Sequence, residues 1–200
     1  SDTRRSLPFC QGSDATKWTD CFGYFEFDSI EGQLLQKPRD TSYAGSFKNG
    51  LPEGVGSFFD NRGYIFYQGE LVRGNYEGKG TLFRDLDGES YYSGEFSNGK
   101  SHGKGVSQSN RSLLERMEGD WVNGFLVKGT IYKEKQFTYV GSLKAGVFDG
   151  EGTYTAERIP GKGEPEVKKG IWKNGKLLPP DAPHSNDGRS EEHTSELQSH

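Results

Sequence analysis

Aliphatic bulk is what this sequence is short of. Only 30% of its 200 residues are hydrophobic even with alanine, tyrosine and cysteine counted, and methionine occurs once. Helical bundles and doubly wound sheets need long elements rich in leucine, alanine and valine, so the shortage argues against both. No run of about 18 apolar residues is present, which excludes a membrane-spanning helix. Charge of one sign is scarce too. A formal net charge of -4 gives no electrostatic case for binding nucleic acid or anionic lipid. Four histidines and two cysteines are a thin stock for metal or nucleophile chemistry. Glycine and rings are what is plentiful. The 29 glycines, beside 13 Phe, 10 Tyr and 3 Trp, are roughly twice the usual glycine share of about 7%. That mixture suits thin sheet structure with many turns.

The stretch Arg189 to His200 reads RSEEHTSELQSH. Through Ser199 it resembles, codon by codon, the frame translation of a common sequencing-library adapter. It is expected to be an assembly artefact and stands outside the functional argument; a native polar tail is the alternative. Without Arg189, Glu191, Glu192 and Glu196 the net charge falls from -4 to -2, and only His102 and His184 are left. With no methionine at position 1, the chain is expected to be a fragment or to have lost an N-terminal segment.

Self-comparison explains the glycine. One phrase recurs: YAGSFKNGLPEGVG from Tyr43, YQGELVRGNYEGKG from Tyr67, YSGEFSNGKSHGKG from Tyr92 and YVGSLKAGVFDGEG from Tyr139. Degenerate copies start at Met117, one residue short before the final glycine, and at Lys168. The anchoring glycines Gly45, Gly69, Gly94, Gly119, Gly141 and Gly170 are 24, 25, 25, 22 and 29 residues apart, and 27 of the 29 glycines fall between Gly23 and Gly175. Enrichment and repeat are one fact.

Side chains alternate faces along an extended chain. Tyr43, Gly45 and Phe47 therefore share a face, as do Tyr67, Gly69 and Leu71, then Tyr92, Gly94 and Phe96, with Gly54, Gly56 and Phe58 continuing it on a return strand. The opposite face carries Ser46, Lys48, Glu70, Glu95, Lys79 and Lys104. Glycine weakens an isolated strand, so its regular placement needs a reason: a gap beside each aromatic in which a neighbouring ring lies flat. Asn49-Gly50 and Asn98-Gly99 are hairpin chemistry, as are Asp60 to Gly63 and Asp85 to Gly88 between phrases. The expected fold is all-β, an elongated single-layer antiparallel sheet of repeated hairpins. Some twelve to fourteen strands at about 4.8 Å each would span on the order of 60 Å.

These phrases resemble MORN repeats, whose pattern is Tyr-x-Gly-x-Phe, two residues, Gly, three residues, Gly-x-Gly. The resemblance runs from Gly23 to Gly175. It divides the chain into an entry segment at 1–22, repeats at 23–178, a Pro-rich exit at 179–188 and the tail at 189–200. Residues 28 to 42 are an insertion, and the copy from Met117 lacks its Tyr and one residue. Leu7 to Phe27 also resembles the entry segment ahead of such repeats in bacterial exported proteins, which pairs two cysteines around a Trp. That resemblance implies a Cys10–Cys21 disulfide around Trp18, contributing on the order of 3 kcal/mol on the loop-entropy account. Two free thiols in a cytosolic protein are the alternative. A zinc site lacks partners near the pair.

No catalytic constellation assembles. His102 occupies a variable position whose counterparts are Glu53, Glu77 and Asp149, and reads as a solvated residue. His184 sits in the exit segment. No nucleophile elbow, phosphate loop or His-Glu-x-x-His occurs, and Gly74 to Gly80 precedes no helix. Glu70, Glu95 and Asp120 recur at one repeat position; they are expected to pair across strands with Lys79 and Lys104, each pair worth about 0.2 to 1 kcal/mol. Asp85 to Glu89 is too short for a calcium loop and reads as a turn.

Seven rings form the candidate partner-binding face: Tyr43, Phe47, Tyr67, Tyr92, Phe96, Trp121 and Tyr139. Most are expected to be core and a minority to contact a partner. The chain reads as a non-catalytic interaction or scaffold module with no cofactor and no metal. A protein partner is expected, membrane lipid is possible, and nucleic acid is not expected. The periplasm or the extracellular space is the expected location, with the cytoplasmic face of a membrane as the alternative. Phospholipid association, or service as the regulatory arm of a larger enzyme, are the competing functions.

Overall fold

The computed structural model describes residues 7–27 and 41–180, apart from 86, 112, 159, 160 and 162. Residues 28–40 of the insertion, residues 181–188 of the exit with His184, and the 189–200 tail lie outside the described residues. The sheet begins with β1 (Cys21–Glu26), β2 (Ser42–Lys48), β3 (Leu51–Phe59), β4 (Ile65–Val72), β5 (Asn75–Phe83), β6 (Tyr91–Ser97) and β7 (Lys100–Ser109). It continues with β8 (Glu115–Val122), β9 (Phe125–Lys133), β10 (Phe137–Lys144), β11 (Val147–Ala156), β12 (Val167–Lys173) and β13 (Lys176–Leu177). All thirteen lie in one antiparallel sheet in strict chain order. The single layer of hairpins is as the repeat reading expects.

Six two-residue turns close the hairpins inside the phrases. At Asn49-Gly50, Arg73-Gly74, Asn98-Gly99, Asn123-Gly124, Ala145-Gly146 and Asn174-Gly175 both residues have positive φ, near 50° and then between 75° and 89°. This is the type I′ turn whose twist matches that of paired strands. Each phrase then places a bulge between its two strands. Register slips after Gly45, Gly69, Gly94 and Gly141, and Gly54, Gly78, Gly103 and Gly150 absorb the extra residue with φ of 77°, 61°, 55° and 101°. In the shortened copy the slip falls between Asp120 and Trp121, opposite Val127.

Glycines face glycines across the whole ribbon. From Gly23 in β1 to Gly170 in β12, each strand contributes one glycine to a continuous cross-strand row. The gap they leave is not filled as the sequence suggests. Over four of these pairs, Gly45–Gly56, Gly69–Gly80, Gly94–Gly105 and Gly141–Gly152, lies the tyrosine of the same phrase, turned along its own strand rather than lent by a neighbour. A Cβ on Gly94 would stand 2.7 Å from Tyr92 Oη and 2.5 Å from Gly105 Cα. The bulge leaves a backbone carbonyl to be satisfied, and the phenol satisfies it: Tyr43, Tyr67, Tyr92 and Tyr139 donate to the carbonyls of Ser46, Glu70, Glu95 and Ser142 at 3.1, 2.7, 3.0 and 2.9 Å.

Rings then link the phrases. Tyr67 meets Phe96, Tyr92 meets Trp121 and Tyr139 meets Trp172 edge to face at 5.5, 5.1 and 5.8 Å. Within phrases Tyr76 stacks on Tyr67 at 3.8 Å and Phe148 on Tyr139 at 3.7 Å. At the N-terminal end Trp18 replaces the tyrosine, packing over Gly23 and against Phe47 at 5.0 Å. A Cys10–Cys21 disulfide ties this entry segment to β1.

Candidate docking site

Tyr43, Tyr67, Tyr92 and Tyr139 are fully buried, and Phe47, Phe96 and Trp121 are no more than 5% exposed. The expectation that a minority of these seven rings faces a partner is therefore corrected: all seven are core. The physical reason is local. Each phenol reaches a carbonyl freed by the bulge, which draws the ring flat onto the glycine pair, and an aromatic of the next phrase closes over Tyr67, Tyr92 and Tyr139. Burial also disfavours the phenolate: it pushes Tyr92 up to about 12 and raises Tyr43, Tyr67, Tyr76 and Tyr139 as well.

The recurring acids behave differently from one another. Glu70 and Glu95 turn onto the bulge, accepting the backbone N–H of Lys79 and of Lys104 at 3.1 Å each. Asp120, whose copy has no glycine bulge, instead forms an ion pair with Lys104 at 2.5 Å. Of the expected cross-strand ion pairs, this one forms. Asp85 takes hydrogen bonds from the hydroxyl and N–H of Ser90, which hold its carboxyl below the ordinary range; the segment is a turn. His102 is exposed. Its counterparts show what its position does: Glu53, Glu77 and Asp149 accept the N–H of the first turn residue in the following hairpin, at Arg73, Asn98 and Asn174, over 2.8, 2.9 and 3.3 Å. Among the described residues no three His, Cys, Asp or Glu side chains gather into a metal site.

Among the described residues, the face opposite the rings is open. Here two rows of side chains flank the glycine row. Gln68, Thr81, Ser93, Val106 and Glu118 are cross-strand neighbours in one. Lys79, Glu95, Lys104, Asp120 and Lys128 alternate in sign in the other. Between them lies a trough of about 760 Å³ floored by glycine backbone, with the Thr81 and Ser93 hydroxyls bonded to each other along one wall at 3.0 Å. A second recess of about 430 Å³ shares Thr81, Ser93 and Val106 and adds Phe83, Tyr91 and Arg116. Sequence reasoning missed these last three residues. The signal was the Tyr91-Tyr92 doublet, since adjacent residues of a strand point to opposite faces and only one ring can be core.

A one-layer ribbon of near-identical hairpins, each touching only its neighbours, defines a repeat protein of the solenoid class. The family model for the MORN repeat matches residues 43–63, 67–87, 92–110 and 139–157. The chain belongs to the MORN repeat family. Such repeats are generally non-catalytic modules, often engaged with proteins or membrane lipids. No curated protein matches the chain.

Proposed function

We propose that this chain is a non-catalytic scaffold of the bacterial cell envelope that seats a protein partner along the glycine-floored trough. The observation that carries this reading is the trough itself. It is an open concavity on the face that the ring core does not use, one wall carries the short side chains of Thr81, Ser93 and Val106, and rings and a guanidinium line one end. Glu95 and Asp120 beside Lys79, Lys104 and Lys128 give a nearly balanced wall. Such a wall favours a partner presenting both signs over an anionic lipid surface, which needs roughly 1 kcal/mol of attraction from each clustered cation. The disulfide supports an oxidising compartment and hence export.

A photo-cross-linking residue placed at Ser93, compared with one at Arg62 in an outer turn, tests the reading. The expected result is a cross-link from Ser93 alone to one identifiable envelope protein. Binding of that purified protein should weaken at least tenfold in Ser93→Arg/Val106→Arg, whose melting temperature stays near that of the parent. Full-affinity binding by that variant overturns the trough. Co-sedimentation with liposomes that rises with anionic lipid content would put phospholipid in place of protein.

A further inference from the structure

Among the described residues, very little closes the outer edge of β1. Cys10 N–H donates to Phe22 O at 2.9 Å and Phe22 N–H to Pro8 O at 2.8 Å, making an isolated parallel bridge of Phe9 with Phe22. Backbone groups alternate in direction along a strand. Phe22 therefore points away from β2, Phe27 points inward to Thr41 O, and Tyr24 and Glu26 share the outward direction of Phe22. Leu7 and Phe9 are 44% and 76% exposed, so the covering segment buries little; Phe9 meets Phe22 edge to face at 6.4 Å. Further along, Gln11 and Gly12 carbonyls accept the Trp18 indole N–H. Between these two short attachments stands the Cys10–Cys21 bond.

We infer that this disulfide gates the β1 edge. While it is intact, residues 7–10 occupy the edge and block strand addition. A dithiol reductant opens it: one thiolate attacks Cys10 or Cys21, a mixed disulfide forms, and the second thiol displaces it. The protein gains two thiols and the reductant leaves as its own disulfide. Freed, the segment peels away and the edge pairs antiparallel with the same edge of a second copy. An unpaired strand edge is a template for another strand, and this one is self-complementary. A two-fold axis at Tyr24 sets Tyr24 against Tyr24 of the second copy and Phe22 against its Glu26. Phe22 and Tyr24, 42% and 56% exposed, become cross-strand neighbours on one face. The contact is isologous and closes at two.

Light scattering on the full chain, oxidised and then treated with dithiothreitol, tests the gate together with amide hydrogen exchange. The oxidised chain should be monomeric and the reduced chain should double in mass. On reduction the amides of Cys10 and Phe22 should exchange at least tenfold faster while that of Tyr24 gains protection. Tyr24→Pro removes the outward N–H and spares the β1–β2 ladder, so the reduced variant should remain monomeric. A reduced parent that stays monomeric, or keeps Cys10 and Phe22 protected, overturns the inference. So does a Tyr24→Pro chain that dimerises like the parent. Loss of protection through β10 and β11 on reduction would also overturn it, because the bond would then be a staple of the whole fold.

Discussion

Glycine does two jobs in this ribbon, and an added methyl group separates them. Gly94 lies in the cross-strand row, where a Cβ would meet Lys104 O and Gly105 Cα at 2.5 Å. Both are backbone atoms held by the ladder, so neither can give way. Gly99 closes a turn with φ of 75° and nothing within 4 Å of the same added atom. Gly94→Ala should lower unfolding free energy by about 3 kcal/mol or more, as severe overpacking does. Gly99→Ala should cost about 1 kcal/mol, the penalty of a left-handed backbone. Urea denaturation of the two variants checks this, and equal losses would refute the division. Alternation in the sequence separates the two kinds of glycine. What fills the gap was not legible, because the tyrosine's path over its own strand depends on a carbonyl that only the bulge sets free.

At the scale of the hairpin, stability comes from how one unit clamps the next. The turn glycine N–H of each clamped unit donates to a strand carbonyl before it, as Gly74 does to Pro52 and Gly99 to Tyr76, at 2.8 and 3.0 Å. An acid beside that carbonyl caps the turn's other N–H. The copy from Tyr92 has His102 at this position, with Asn123 as the equivalent turn residue. His102→Glu should therefore add a charge-assisted bond to the Asn123 N–H and stabilise the chain by about 1 kcal/mol. Thermal melting measures it; an unchanged or lower melting temperature in His102→Glu would show that the clamp contributes nothing there. The turns themselves were plain in the Asn-Gly pairs, since positive φ is a local demand. Arg73 and Ala145 adopt the same conformation without asparagine, imposed by the strands on either side. The clamp was invisible because the residues it joins are 20 or more positions apart.

Across the whole molecule the phenols share one fate. Five tyrosines spread from Tyr43 to Tyr139 have pKa values raised chiefly by burial. The folded chain thus favours the neutral phenol, and its stability contribution is complete below the unfolded value of about 10. It drains away as pH climbs from there through the folded values, that of Tyr92 being about 12. Unfolding free energy should therefore be level into the mildly alkaline range and fall between roughly pH 10 and 12. The phenolate absorbance of these five should rise with loss of structure, not before it; titration of these five near pH 10 in a folded chain would contradict the buried core.

The sequence by itself determined the repeat, the strand period, the turns and the glycine register, because φ demands and pleat parity act over a few residues. It also showed that the two faces differ. Which face is open was decided only in the assembled sheet. Parity places Tyr92 and Tyr91 on opposite sides without saying which is buried. The bulges, the phenol bonds and the aromatic of the following hairpin together close one side over its rings. The trough between Lys79, Glu95 and Ser93 is what that closure leaves exposed.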